Sequence, residues 1–181
     1  MSEHNSAYAE VAGQDVTPEA LPGSHIRPLQ PADVEALRLL LTETNVFTNH
    51  EISIALELMH IVLNDGDQKD YIIRVYDDES LGGVVGYYCI GPTPATDATF
   101  DLYWIATHPR LHGRGVGRTL LAHAEAEIRS LGGRLIVVET SSTPRYDRTR
   151  SFYLNAGYAE LARIRDYYRA GDSLVIYGKY L

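Results

Sequence analysis

Hydrophobic residues follow two different spacings along the chain, and these spacings distinguish the predicted helices from the predicted strands. Leu37, Leu40 and Leu41 recur at helical spacing, whereas residues 71–76 form an unbroken run of β-forming side chains. The helical pattern predicts four helices, one that starts at Pro31 and three more over about residues 49–63, 116–130 and 145–155. The β pattern predicts seven strands, at about residues 26–29, 71–76, 84–90, 100–107, 134–140, 158–165 and 173–180.

The order of these elements predicts the fold class. Three consecutive strands within residues 71–107 indicate an antiparallel meander, and the strand, helix and strand within residues 100–140 indicate a parallel βαβ unit. We therefore expect an α/β (α+β) fold with a mixed central sheet of about seven strands, flanked by about four helices.

Length and composition limit the domain organisation. The 181 residues, 45% hydrophobic and 22% charged, are typical of one globular domain and exclude a wholly disordered or collagen-like chain. Residues 1–23 are small and polar, with Pro18, Pro22 and Gly23 near their end, and are predicted to form a flexible arm. Residues 24–181 are predicted to form the single domain.

Charge is distributed unevenly between the two parts of the chain. The net charge of −8 argues against a general nucleic-acid binder. Residues 1–109 carry 4 basic and 17 acidic side chains, whereas residues 110–181 carry 12 basic and 7 acidic ones. Fourteen of the 16 basic residues are Arg, which suits contacts with phosphate. The distribution is compatible with chance, or with an anionic ligand on the C-terminal part and a cationic one on the N-terminal part.

Cysteine content and hydropathy bear on the compartment. Cys89 is the only cysteine, so neither an intramolecular disulfide nor a cysteine-based zinc site is expected, and its apolar neighbours indicate a buried thiol. No window is long and apolar enough for a membrane span, and the N-terminus lacks the features of a signal peptide. We expect a cytoplasmic protein with no membrane or metal partner.

The stretch from His108 to Arg118 runs from a strand through a glycine-rich loop directly into a helix. Unpaired amides at a helix N-terminus attract anions, and glycines allow a phosphate to approach the backbone. A P-loop is excluded because Gly-Lys-Ser/Thr is absent. A dinucleotide fingerprint fits poorly because Arg118 stands in the third glycine position, although Glu139 follows at about the distance of a ribose-binding acid.

The same stretch resembles the acetyl-CoA-binding motif of the GNAT N-acetyltransferase superfamily, Arg/Gln-x-x-Gly-x-Gly/Ala. The motif fits in two registers, starting at Arg110 or at His112, and the second keeps the usual distance from the His108-Pro109 turn. Phe152 to Tyr158 is similar to a second segment of the family, Phe-Tyr-x-x-x-Gly-Phe/Tyr. The resemblance extends over residues 24–181 and implies a GNAT-like fold. It also implies that CoA is held by Ile105, Ala106, Thr107, His112, Gly113, Arg114, Gly115, Val116, Gly117, Arg118 and Thr119.

The resemblance further implies acetyl transfer from acetyl-CoA to a primary amine of a small molecule, peptide or protein, by direct attack in a ternary complex. Tyr153 matches the family's general acid, and Asp101 or Glu139 is the candidate base unless water serves. Candidate acceptor-binding residues are Glu43, Phe47, Tyr167 and Tyr168. The alternative is a non-catalytic acyl-CoA-binding or regulatory module on the same fold. A homodimer is left open.

Overall fold

The computed structural model describes residues 25–181, so the predicted arm over residues 1–23 lies outside the described part of the chain. Within this part, seven strands and four helices follow one another in the order β1 (Ile26–Pro28), α1 (Asp33–Glu43), α2 (Asn49–Asn64), β2 (Ile72–Asp78), β3 (Gly83–Pro92), β4 (Thr99–Thr107), α3 (Val116–Ser130), β5 (Leu135–Ser141), α4 (Asp147–Asn155), β6 (Ala159–Arg169) and β7 (Asp172–Tyr180). The predicted number of strands and helices is confirmed.

All seven strands form one sheet in the order β1-β2-β3-β4-β5-β7-β6. Strands β2, β3 and β4 are antiparallel neighbours, which confirms the predicted meander. Strands β4 and β5 are the parallel pair of the sheet, and α3 connects them, which confirms the βαβ unit. A parallel pair requires such a crossover, because the chain must return to the same end of the sheet.

Some predicted boundaries shift. Pro31 lies in a turn before α1, which begins at Asp33. Helix α4 begins at Asp147 instead of residue 145, because Pro144–Tyr146 form a separate 3-10 turn. Strand β6 continues past the predicted end to Arg169, with an irregular register between Ile164 and Arg169.

Helices cover both faces of the sheet and create two apolar clusters. Helix α3 packs on one face through Leu120, Leu121 and Ile128, which belong to the same cluster as Tyr88 of β3. Helices α1 and α2 cover the other face, where their apolar residues pack against Tyr87 and Cys89. Successive side chains of a strand point to opposite faces, so β3 contributes to both clusters.

Burial raises the pKa of Cys89 to about 12, as expected of an unreactive thiol. Within residues 25–181, no helix has the length and hydropathy required to cross a bilayer.

A buried polar cluster ties α3 to the sheet. Glu127 of α3 is 4% exposed and pairs with Arg74 of β2. The hydroxyl of Tyr88 also donates to Glu127 and lies 2.8 Å from Nδ1 of His123. Satisfying a buried carboxylate in this way avoids the large cost of an unpaired charge. The cluster thus fixes α3, and with it the loop that precedes α3.

A capping box explains where α2 begins. The side chain of Thr48 accepts from the Glu51 amide, and Glu51 accepts from the Thr48 amide at 2.6 Å. We expect Thr48→Ala to lower the free energy of unfolding by about 1 kcal/mol, because one cap is lost. Urea denaturation measures this difference. Thr48→Ser keeps the cap and is the control. Equal stability of the alanine and serine variants contradicts the assignment.

Candidate active site

The sheet opens in its middle, where its parallel strands diverge. Strands β4 and β5 pair only over Thr99–Asp101 and Leu135–Val137. Beyond these residues, β4 continues to Thr107 and β5 to Ser141 without pairing to each other. The facing edges therefore offer backbone donors and acceptors to a ligand, since backbone polar groups require partners.

The turn from β4 into α3 forms a polar cradle. Gly113 (φ +79°) and Gly115 (φ +89°) both adopt left-handed backbone conformations, and Gly115 caps α3 without any side-chain hydrogen bond. The amides of the first turn of α3 have no acceptor within the helix and lie at the positive end of its dipole. A Cβ at Gly113 or Gly115 would meet no atom within 4 Å. The loop thus presents free amides to open space, as an anion site requires.

A cleft of about 540 Å³ lies in front of this cradle, and we call it the loop cleft. Nine of the eleven residues predicted to hold CoA line it, namely Ile105, Ala106, Thr107, His112, Gly113, Gly115, Val116, Gly117 and Arg118. Arg114 and Thr119 lie outside the lining, and the Arg114 amide donates to the Leu111 carbonyl at 3.1 Å. Arg148 and Phe152 of α4 complete the wall.

The two registers of the glycine motif place different side chains at the cleft. The Arg110 guanidinium turns away and donates to the Leu81 carbonyl at 3.0 Å. His112 lines the loop cleft, with its Nε2 atom 3.3 Å from the Thr107 carbonyl oxygen. The geometry therefore favours the register that begins at His112.

A second cavity, of about 370 Å³, opens between the diverging strands, and we call it the aromatic cavity. Six aromatic side chains line it, namely Phe47, Tyr103, Trp104, Tyr146, Tyr153 and Tyr168. The Phe47 and Trp104 rings pack with centroids 5.0 Å apart. Both cavities share the lining residues Val46, Phe47, Ile105 and Thr149. The two cavities therefore adjoin each other at these four residues, and we call the adjoining pair the passage.

The two candidate bases occupy different positions. Glu139 of β5 lines the aromatic cavity. Asp101 of β4 lies outside the lining of both cavities and accepts from the Thr93 hydroxyl at 2.8 Å. Burial, together with the nearby Asp101 carboxylate, raises the pKa of Glu139 above its usual value. Of the two, the structure brings only Glu139 to the passage.

Tyr153 lies at the inner wall of the aromatic cavity. Its side chain is 3% exposed and packs against the rings of Phe152, Tyr158 and Tyr177, with centroids 5.3 to 6.3 Å away. Burial raises the pKa of Tyr153, so its phenol stays protonated at neutral pH. A protonated phenol can donate a hydrogen bond to a group inside the cavity that it lines.

Comparison with known proteins decides the family. The model of the acetyltransferase (GNAT) domain matches residues 68–160, about half of the chain. A solved structure from Desulfovibrio desulfuricans, assigned to the GNAT family, is 38% identical in sequence with a TM-score of 0.80. The match covers 86% of this chain and 97% of that one. The chain belongs to the GNAT acetyltransferase family.

Two more distant structures share the GNAT fold of this chain. An aminoglycoside 6'-N-acetyltransferase complexed with coenzyme A is 17% identical, with a TM-score of 0.66 over 86% of this chain and 96% of that one. The ribosomal-protein-S18-alanine N-acetyltransferase from Escherichia coli is 18% identical, with a TM-score of 0.65 over 86% of this chain and 92% of that one.

No curated protein matches the sequence. Among residues 25–181, no group of three or more His, Cys, Asp or Glu side chains is placed to hold a metal ion.

The structure of this GNAT domain separates the predicted acceptor-binding residues. Phe47 and Tyr168 line the aromatic cavity. Glu43 lies outside it, with its carboxylate 3.1 Å from Nε2 of His108. Tyr167 also lies outside the lining, 56% exposed, and packs edge-on against Tyr168.

The aromatic cavity of this GNAT domain is also lined by residues that no sequence motif indicates, among them Glu51, Trp104 and Tyr146. The Tyr146 hydroxyl donates to Glu51 Oε1 at 3.1 Å, although the two residues are 95 positions apart. The Thr48-x-x-Glu51 pattern is typical of a helix start. Because this role already explains Glu51, the sequence does not indicate that its side chain also lines the cavity.

Proposed function

We propose that this protein transfers an acetyl group from acetyl-CoA to a primary amine by direct attack in a ternary complex. The observation that supports this proposal is the passage, in which the loop cleft adjoins the aromatic cavity beside the opening between β4 and β5. Such a passage allows an anionic donor and an amine to approach each other from opposite ends.

The loop cleft is suited to the donor. Gly113, Gly115 and the first turn of α3 present free amides to a pyrophosphate group, and Arg118 and Arg148 add positive charge. The open edge of β4 at residues 105–107 offers backbone groups to the amides of a pantetheine arm, which pairs like an added strand. The distant relative that was solved with coenzyme A supports this assignment.

The aromatic cavity is suited to the reaction. Attack by a neutral amine forms the C–N bond and breaks the C–S bond, which yields the acetylated amine and the CoA thiol. Glu139 accepts the proton that leaves the nitrogen, directly or through water. Tyr153 donates a hydrogen bond and a proton to the departing sulfur. In this proposal, each proton transfer has a candidate residue among those that line the cavity.

The pH dependence distinguishes the two carboxylates. Because its pKa is raised, Glu139 becomes a base only as pH rises through a value above the usual glutamate pKa. We expect kcat/KM to rise with pH through this value, and Glu139→Gln to remove this acid limb. Asp101→Asn removes a repelling charge, so it shifts the same limb to lower pH. Initial rates across pH 4 to 9, as a working range, measure both effects.

The opposite result contradicts this assignment. If Asp101→Asn abolishes the acid limb and Glu139→Gln keeps it, Asp101 is the base. If neither variant changes the profile, water is the base. The ammonium form of the acceptor adds a more alkaline limb whose position changes with the amine, so two amines of different pKa identify it.

A direct assay tests the function itself. The purified chain is incubated with acetyl-CoA and a panel of primary amines, and both CoA thiol and acetylated amine are measured. We expect both products in equal amounts. Binding of acetyl-CoA without any acetylated product from the panel supports a non-catalytic acyl-CoA-binding module instead.

A further inference from the structure

The carboxylates of the aromatic cavity differ in how they are paired. Three line it: Glu51, Glu139 and Asp172. Glu51 accepts from Thr48 and from the Tyr146 hydroxyl, and Asp172 accepts from the Ser141 hydroxyl at 2.6 Å. Within residues 25–181, Glu139 is the one of the three for which no hydrogen bond or ion pair is found.

The cationic side chains of this cavity are already engaged. Arg145 donates through two nitrogens to the Asn45 carbonyl, at 3.1 and 2.6 Å. The Nε atom of Arg169 lies 3.6 Å from Asp172. Three carboxylates and two guanidinium groups leave one excess negative charge, and within the described part of the chain Glu139 is the carboxylate without a protein partner. A ligand with several positive charges would leave most of them unpaired beside two arginines, which is unfavourable.

The walls of the cavity limit the size and the polarity of a ligand. Aromatic rings provide apolar area, and their faces attract a cation. The volume of about 370 Å³ is small for a ligand site. The Tyr146 hydroxyl joins two walls of the cavity through Glu51, and Arg145 contacts the Asn45 carbonyl outside its lining. A long chain laid across this side would have to break both contacts, which favours a compact ligand.

We propose that the acceptor is a small amine with a single positive charge and an apolar, aromatic-sized body, held by Glu139 and by the rings of the aromatic cavity. This inference rests on the proposed function and specifies its substrate class. The Glu139 carboxylate pairs with the ammonium group before proton loss, and the body packs against Phe47 and Trp104. Aminoglycosides, which carry several charges, and peptides, which extend beyond the cavity, are expected to be poor acceptors.

Two measurements test the proposal. First, kcat/KM is compared for 2-phenylethylamine, kanamycin and a hexapeptide with a free N-terminal alanine. We expect the first to exceed both others by at least about tenfold. Second, calorimetry in the presence of CoA measures binding of trimethyl(2-phenylethyl)ammonium, a cation that cannot be acetylated. We expect Glu139→Gln to weaken this binding by about tenfold, and Glu57→Gln, an exposed site on α2, to leave it unchanged.

The outcomes separate this inference from the proposed function. Preferred acetylation of kanamycin or of the peptide overturns the inference while the acetyltransferase activity stands. An unchanged affinity of Glu139→Gln for the quaternary ammonium ion also overturns it. If acetyl-CoA binds and no amine is acetylated, the proposed function fails, and the binding measurement still decides whether the cavity selects a single cation.

Discussion

Replacing Gly115 with valine is expected to weaken CoA binding by at least about 100-fold, because it changes the point where the amides of the cradle meet the proposed pyrophosphate. Gly115 has a φ of +89°, which a β-branched residue adopts only with strain of about 1–2 kcal/mol. The open space in front of its Cα, where a Cβ would meet no atom within 4 Å, would be filled by the new side chain. Calorimetric titration with CoA measures the loss.

Gly132 offers a matched control at the other end of α3. Its φ is +80°, and a Cβ there would also meet no atom within 4 Å. Gly132→Val therefore imposes similar backbone strain on the same helix, far from the loop cleft. We expect both variants to lose similar thermal stability while only Gly115→Val loses CoA affinity. Equal CoA affinities of the two variants would falsify the assignment of the cradle.

Replacing Tyr153 with phenylalanine is expected to reduce kcat by about 10²- to 10⁴-fold, the usual contribution of a general acid. The phenyl ring keeps its packing against Phe152, Tyr158 and Tyr177, so stability should change little. Because only the proton donor is removed, KM for acetyl-CoA should stay nearly constant. Steady-state kinetics with the best amine of the panel measure both constants.

Tyr158 is the control for this substitution. It lies in the same aromatic group and is 3% exposed, and its hydroxyl lies near the Glu125 carboxylate without a hydrogen bond of standard geometry among the described residues. Tyr158→Phe removes a hydroxyl that lies outside the lining of both cavities, so it should change stability little and leave kcat unchanged. A Tyr153→Phe enzyme as active as Tyr158→Phe removes the general acid from the mechanism.

Most of the fold follows from local sequence signals. The helical spacing of Leu37, Leu40 and Leu41 predicts α1, and the glycines before Val116 predict the start of α3 at its observed position. Errors concentrate at element ends. Before α4, residues Pro144–Tyr146 form a 3-10 turn, so the helix begins later than predicted. The edge strand β6 has an irregular register and continues beyond its predicted end.

The donor side of the site follows from the sequence more fully than the acceptor side. Nine of the eleven predicted residues line the loop cleft, because a glycine loop and the helix after it are contiguous in the chain. The aromatic cavity is assembled from distant segments. Glu51 and Tyr146 meet across 95 positions, and neither stands in a pattern that indicates the other.

The sequence by itself determined the order of the elements, the anion cradle and the family resemblance, since each rests on neighbouring residues and on backbone preferences. Only the tertiary structure decided which of two carboxylates reaches the passage, and it placed Glu139 in the cavity and Asp101 beside Thr93. The physical reason is the divergence of β4 and β5 after three paired residues, which depends on packing across the whole sheet and on no local signal. The same divergence opens the cavity that Glu139 lines, and it makes the charge of the acceptor a testable property.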